Sequence, residues 1–294
     1  MNMTRERYER HMRFFGKEGQ EKLARLRVAV VGAGGLGSHV VQQLALLGVG
    51  SLAVVDSQEL KETNRNRYVT ARHTDQIPGT RKVDIATRLI AEIDPEIEVK
   101  AVHDSLVSDE AFKVVIGADV VFGCVDKEGA RLILNELCAA YSRPYLDLAT
   151  ELSPPDDPSE YGGRVCVVWQ GEGCLVCRGV LDMDAAQIDL SGPEERAARK
   201  RLYGIPEDLL AETGPSVVSI NGVIASLGVT EFMLALTGIR MPNPIVTYKG
   251  KGGGVSVNRE APLPDCYYCK VLRGTGDKAD VQRYIREGVG KYLV

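Results

Sequence analysis

The sequence lacks several features that mark particular classes of protein. Lys and Arg number 36 against 40 Asp and Glu, for a net charge of −4. This balance gives no general electrostatic case for nucleic-acid binding, so an anion site would have to be local. The opening residues, "MNMTRERYERHMRFFG", have no apolar signal-peptide core, and there is no internal repeat. We therefore expect a cytoplasmic protein, and 294 residues are enough for a large core.

Histidine is also scarce, and the longest apolar run is interrupted. The four histidines show no paired spacing on one helix face, so we assign none of them to a metal. Residues 217–238 approach bilayer length but include Ser219, Asn221, Ser226, Thr230 and Glu231. A buried helix fits this run better than a membrane span.

Strand and helix patterns alternate through the first half of the chain. A broken helix over residues 5–26 precedes the strand "RVAVV", a helix beginning at Ser38 and the strand "SLAVVD". Further units follow, including a helix over residues 82–93. The pattern predicts an α/β fold with a Rossmann-like, mainly parallel sheet and helices on both faces. We assign an N-terminal helical arm and the Rossmann-like region to residues 1–150 and a mixed β region to residues 151–294, as parts of one continuous domain.

Two cysteine pairs are the sharpest feature of the second half. "CLVC" and "CYYC" place Cys174, Cys177, Cys266 and Cys269 at the spacing of a tetrahedral zinc site. Four cysteines leave no open coordination position, so the ion would be structural and would join the chain's end to its middle. Unrelated pairs or a redox disulfide are the alternatives. The other three cysteines lie in apolar segments and are expected in the core.

A glycine-rich turn follows the first strand. In "VVGAGGLG", Gly32, Gly34, Gly35 and Gly37 fit the general dinucleotide pattern, and Asp56 ends the next strand, where it can accept hydrogen bonds from ribose hydroxyls. This pattern is equally compatible with NAD, FAD and ATP.

Charged and amide residues beyond Asp56 favour a triphosphate. They are Asn64, Arg65, Arg67, Arg81 and Lys82, and a reacting triphosphate needs its developing charge neutralised. Asp126 ends a predicted parallel strand, where a carboxylate can hold Mg²⁺ against phosphates. A solvated basic face and a helix N-cap at Asp126 are the simpler alternatives.

The order of motifs resembles the ThiF, MoeB and HesA family, the bacterial relatives of ubiquitin-activating enzymes. The motifs are "RYERHMRFFG", "VVGAGGLGS", "VVD", "TNRNRY", "GTRK", "CVD", "CLVC" and "CYYC", over about residues 5–270. The resemblance implies an adenylyltransferase that uses ATP and Mg²⁺ to activate the C-terminal carboxylate of a ubiquitin-like or sulfur-carrier protein, or of a peptide, releasing pyrophosphate. It also implies a homodimer with structural zinc, and no nucleic-acid or membrane partner.

The resemblance further assigns roles to individual residues. The nucleotide would lie against Gly32, Gly34, Gly35 and Gly37, with its ribose on Asp56. Its phosphates would contact Asn64, Arg67 and Lys82, and Asp126 would bind magnesium. Arg10 would reach into the other subunit's site.

The segment from Asp182 to Gly214 contains no cysteine, whereas many relatives have an acceptor cysteine in this crossover. We therefore expect the adenylate to pass directly to a separate acceptor. Two other functions stay open from the sequence: a nicotinamide- or flavin-dependent oxidoreductase, and a non-catalytic nucleotide-binding protein that docks a carrier.

Overall fold

An eight-stranded sheet organises the computed structural model, which describes residues 6–153, 161–192, 214–289 and 293. The strands are β1 (Arg27–Val31), β2 (Ser51–Val55), β3 (Glu98–Val102), β4 (Val120–Gly123), β5 (Tyr145–Leu152), β6 (Tyr161–Val168), β7 (Ile245–Lys249) and β8 (Gly254–Asn258). Their order is β3-β2-β1-β4-β5-β6-β7-β8. The first five strands pair in parallel and the last three pairings are antiparallel. The predicted mainly parallel sheet is confirmed.

Helices cover both faces of this sheet. They are α1 (Glu9–Arg25), α2 (Gly35–Leu47), α3 (Lys82–Ile93), α4 (Asp109–Gly117), α5 (Glu128–Ala140), α6 (Met183–Leu190), α7 (Val218–Thr237) and α8 (Arg283–Arg286). Strand β1 shows why two layers form, because its side chains alternate between them. Ala29 and Val31 pack with α4 and α5, whereas Val28 and Val30 pack with α2, α3 and α7.

The parallel strands end level with one another. Val31 is in register with both Val55 and Gly123, and Val55 is in register with Val102. The loops that follow β1, β2, β3 and β4 therefore leave the sheet at one edge. The order of the strands reverses between β1 and β4, and open α/β sheets bind their ligands at such a reversal.

One face of the long apolar helix α7 packs against the sheet. Among the described residues it is the one helix long and apolar enough to cross a bilayer. Its buried face includes Ile224, Val229 and Phe232, and Phe232 meets Phe122 of β4 edge to face at 5.5 Å between ring centroids. This packing against the sheet is that of a core helix.

The C-terminal segment covers α5. Leu272, Val281, Tyr284 and Leu293 are buried in the same cluster as α5, and Arg283 pairs with Glu136 of that helix at 2.6 Å. Helix α5 is consequently buried on nearly all sides.

Three boundaries differ from the sequence prediction. Helix α2 begins at Gly35 rather than Ser38, whose hydroxyl instead donates to the Gly35 carbonyl within the helix. The turn-rich stretch "SPPDDPSEYGG" predicts a loop over residues 153–163, but strand β6 begins within it at Tyr161. The crossover from Asp182 to Gly214 begins with the eight-residue helix α6, capped by the Asp182 side chain, and residues 193–213 lie outside the described residues.

Candidate nucleotide site and cysteine cluster

The glycine turn lies at the reversal of strand order, between β1 and β4. The backbone N–H of Gly32 donates to Val55, and that of Cys124 donates to Val31. The turn leads directly into α2, whose first N–H groups have no partner within the helix. A helix N-terminus with free N–H groups is suited to binding phosphate.

Close packing requires glycine at two positions of the turn. A Cβ on Gly32, at φ +90°, would lie 2.5 Å from the Cys124 carbonyl oxygen, and one on Gly37 would lie 1.9 Å from the Gly32 carbonyl oxygen. A Cβ on Gly34 would have no atom of the described residues within 4 Å. The turn is thus tightly packed at Gly32 and Gly37 and open at Gly34.

Asp56 holds the glycine turn in place from the end of β2. One carboxylate oxygen accepts the backbone N–H of Ala33 and the other that of Gln58, each at 2.8 Å. The side chain is buried, and burial raises the pKa of Asp56 although the charge of Lys82 and the two N–H donors act in the opposite direction. The role predicted for Asp56, binding ribose hydroxyls, stays a prediction.

Lys82 is the first residue of α3 and is only 6% exposed. Its ammonium donates to the Gln58 side chain at 2.7 Å, and its carbonyl accepts the hydroxyl of Tyr68 at 3.0 Å. A solvated basic face is therefore the wrong interpretation for Lys82. The lysine is a buried cation that Gln58 and Tyr68 hold near Asp56.

Arg67 lies over the glycine turn. Its Cγ is 3.2 Å from the position that a Cβ on Gly35 would occupy. Asn64 ends a short helix and accepts the backbone N–H of Lys61 at 3.0 Å. Arg65 has a structural task instead, because its guanidinium donates to the carbonyls of Arg72 and Asp75.

Asp126 is exposed in the loop between β4 and α5. Helix α5 begins at Glu128 with Lys127 in the capping position, so the N-cap alternative for Asp126 is wrong. The loop follows β4 at the edge of the sheet that carries the glycine turn. An exposed carboxylate there is available to a cation held together with phosphates.

Arg10 lies at the opposite end of α2 from the turn. Tyr8, two residues earlier, packs on Gly48 directly after α2, where its ring atoms approach within 2.6 Å of a Cβ position. Helix α2 has 13 residues and is about 20 Å long. Arg10 is exposed, and that distance separates it from the glycine turn of its own chain.

The structure brings together the four cysteines that are predicted to form a zinc site. The sulfurs of Cys174, Cys177, Cys266 and Cys269 all lie within 4.8 Å of one another. Cys174 and Cys266 are 3.5 Å apart and Cys177 and Cys269 are 3.8 Å apart. Tetrahedral Zn–S bonds place sulfurs roughly 3.8 Å apart. The cluster therefore fits a tetrahedral metal ion, with the Arg273 guanidinium 3.7 Å from the Cys269 sulfur.

Two further residues, which the sequence motifs did not indicate, lie near the candidate nucleotide site. Asn221 of α7 is 1% exposed, and its amide nitrogen is 2.7 Å from a Cβ position on Gly35. Its Oδ1 has no partner among the described residues. His103 directly follows β3, and its charge lowers the pKa of Asp56 against the larger effect of burial. The signals in the sequence that could have indicated these residues are the polar Asn221 within the long apolar run and the position of His103 at the end of a strand.

Comparisons with known proteins identify relatives of this chain. The model of the ThiF family matches residues 8–268. The chain is 39% identical over 135 residues to the SAMP-activating enzyme E1 of Haloferax volcanii, a match that covers 45% of this chain and 49% of that protein. It is 28% identical over 240 residues to protein HesA of Leptolyngbya boryana, covering 81% of this chain and 74% of the relative.

A third relative is the adenylyltransferase and sulfurtransferase MOCS3 of Culex quinquefasciatus, 38% identical over 129 residues. That match covers 44% of this chain and 29% of the relative. The chain thus spans about half or less of the SAMP-activating enzyme and of MOCS3.

Solved structures share the fold. The E. coli MccB structure with MccA-N7isoASN superposes with a TM-score of 0.71 at 20% identity, covering 91% of this chain and 75% of that one. MccB with ATP superposes at 0.68 and 19% identity, with the same coverage. Because the family model covers nearly the whole chain, the protein belongs to the ThiF family.

Proposed function

We propose that this protein is an ATP-dependent adenylyltransferase that activates a C-terminal carboxylate as an acyl-adenylate. The observation that carries the proposal is the arrangement at the reversal of strand order. An open glycine turn leads into a helix N-terminus there, with the buried cation Lys82 and the stem of Arg67 close by. A hydride-transfer cofactor would leave this cationic arrangement without a task.

The reaction requires positioning and charge neutralisation. A carboxylate oxygen of the substrate attacks the α-phosphorus of ATP, forming one P–O bond as the bond to the β-phosphate oxygen breaks and pyrophosphate leaves. No general base is needed, because the carboxylate is already ionised. Lys82, Asn64 and Arg67 would contact the phosphates, and Asp126 would hold the Mg²⁺ that neutralises them.

The substrate is proposed to be the tail of a ubiquitin-like or sulfur-carrier protein, or a peptide. Relatives named SAMP-activating enzyme and adenylyltransferase and sulfurtransferase MOCS3 support the first class, and MccB, whose structures include MccA, supports the second. Strand β8 offers a surface for the carrier body, since all its residues are exposed and Val255 and Val257 are 55% and 38% exposed.

The active form is proposed to be a homodimer. Arg10 cannot reach the glycine turn of its own chain, because about 20 Å of helix α2 lies between them. Phe14 on α1 and Leu46 at the end of α2 are 63% and 52% exposed, an apolar surface on the same side as Arg10. In the proposed dimer, Arg10 would supply a further cation to the phosphates bound by the other subunit.

We assign a structural zinc ion to the cysteine cluster and a cytoplasmic location to the protein. Four thiolates fill a tetrahedral shell and leave no position for substrate. Four free thiols within 4.8 Å of one another would be exposed to oxidation outside a reducing compartment.

Pyrophosphate exchange tests the proposal. The full chain is incubated with ATP, MgCl₂, labelled pyrophosphate and one of a panel of carrier proteins ending in glycine, and label entering ATP is measured. We expect carrier-dependent exchange that falls at least about a hundredfold in Lys82→Ala, because a buried cation at the phosphates is lost.

Lys100→Ala is the matched control, since Lys100 of β3 is an exposed lysine that pairs with Glu110 of α4. It should leave exchange unchanged. If the protein binds ATP but none of the carriers or peptides supports exchange, the enzyme assignment is overturned in favour of a nucleotide-binding scaffold.

A further inference from the structure

A buried charge network lies beside the loop that follows β4. At its centre, the Asp147 side chain is fully buried and accepts from Arg164 at 2.6 Å and from the Tyr145 hydroxyl at 3.1 Å. The Arg131 Nε lies 3.4 Å from the same carboxylate. Asp147 pairs in register with Gly123, the last residue of β4, so the network adjoins the start of the loop that carries Asp126.

Arg131 connects this network to the loop itself. Its Nη2 donates to the carbonyl of Val125, the residue before Asp126, at 3.0 Å, and its Nη1 pairs with Glu128. Burial alone would lower the pKa of Arg131, but the carboxylates of Asp147 and Glu128 raise it. The planar guanidinium holds the Val125 carbonyl and the Glu128 carboxylate in fixed directions, which an ammonium cannot do, and its charge lies beside Asp147.

Helix α6, the first part of the crossover, is held against the same turn of α5. The Glu128 carboxylate accepts the backbone N–H of Asp182 at 3.0 Å, and the Asp189 carboxylate accepts that of Gly129, also at 3.0 Å. A Cβ on Gly129 would lie 2.7 Å from the Asp189 Cβ, so the two helices are in direct contact. The crossover is thereby anchored two to three residues from Asp126.

We propose that Arg131 and Glu128 are positioning residues that set the orientation of the Asp126 loop for metal binding and join it to the crossover. The inference rests on the proposed function, in which Asp126 holds the metal. A role in stability alone explains the arrangement poorly, because buried ion pairs contribute little net stability compared with apolar packing. The Val125 bond instead fixes a loop that ends on an exposed carboxylate.

The test separates the metal from the nucleotide. ATP binding to the full chain is measured by calorimetry in EDTA and in MgCl₂, and the ratio of the two Kd values gives the enhancement due to Mg²⁺. In Arg131→Lys we expect this enhancement to fall about tenfold, because the loss of a group that orients a metal ligand has an effect of this size. The Kd for ATP in EDTA should not change. Glu128→Gln should show the same loss, and its amide oxygen still accepts from Asp182.

Two comparison variants make the outcomes distinguishable. Arg27→Lys changes an exposed arginine paired with Asp119 and should match the wild type. If Asp126→Asn keeps the full enhancement, the metal assignment in the proposed function fails and this proposal fails with it. If Asp126→Asn abolishes the enhancement while Arg131→Lys and Glu128→Gln retain it, only the positioning proposal is overturned. Equal weakening in EDTA and in MgCl₂ would also overturn it, because that pattern indicates general structural damage.

Discussion

Replacing Gly34 with alanine should separate nucleotide binding from folding. The backbone at Gly34, with φ −77° and ψ −158°, is extended and accessible to any residue. A methyl group there would contact no atom of the described residues within 4 Å. It would project into the open space of the turn, where the nucleotide phosphates are proposed to lie.

The two expected effects differ in size. Alanine is a poorer N-cap than glycine, so Gly34→Ala should lower the free energy of unfolding by about 1 kcal/mol or less. A phosphate displaced by the methyl group would lose at least one charge-assisted bond from a backbone N–H, about 2 kcal/mol. That loss corresponds to a Kd for ATP raised about 30-fold.

Two other glycines provide the controls. Gly117→Ala adds a methyl group at the end of α4, also with nothing within 4 Å, and should leave ATP binding unchanged without lowering Tm. Gly37→Ala would force a Cβ to 1.9 Å from the Gly32 carbonyl oxygen and should reduce Tm strongly. Calorimetry with ATP and thermal unfolding give both quantities. A folded Gly34→Ala variant that binds ATP with the wild-type Kd would refute the placement of the phosphates.

Two further predictions concern the metal and the buried acid. The purified chain should contain about one zinc ion per cysteine cluster, as measured by mass spectrometry of metals, and chelation of this ion should lower Tm by several degrees. Cys266→Ser should lose the ion, whereas Cys124→Ser should keep it. A metal-free protein with an unchanged Tm would contradict a structural zinc. Because burial raises the pKa of Asp56, the native state holds this proton more tightly than the unfolded chain. The free energy of unfolding should therefore fall as pH rises from the ordinary carboxyl pKa of about 4 to the raised value. Urea titrations across that range should show this fall in the wild type and not in Asp56→Asn; parallel pH profiles would contradict it.

Local patterns predicted most of the fold because they report on local causes. Helix α3 runs from Lys82 to Ile93, as its apolar periodicity indicates, and the cysteine spacing correctly brought the four cysteines of the cluster together. The start of α2 was predicted at Ser38 because serine is a favoured N-cap. The glycine turn itself enters the helix three residues earlier, which leaves the Ser38 hydroxyl to accept the Val69 N–H.

The candidate site was harder to predict because its properties depend on contacts between distant segments. Periodicity shows that Lys82 begins a helix, but its burial depends on Gln58 and Tyr68, which lie in an irregular loop. Arg65 and Arg67 are two residues apart and both donate to groups of their own loop, yet Arg67 also lies over the glycine turn. Composition could count the cations but could not assign these different tasks.

The network around Asp147 shows the same limit at longer range. Arg131, Asp147 and Arg164 come from α5, β5 and β6, and no motif in the chain relates them. They meet because β5 pairs in parallel with β4 and in antiparallel with β6, which places Asp147 beside both Gly123 and Cys166. The point where the sheet changes from parallel to antiparallel pairing is therefore also where the Asp126 loop and the crossover are joined. A substitution in this network should affect metal binding at the nucleotide site although none of its members is proposed to contact the nucleotide.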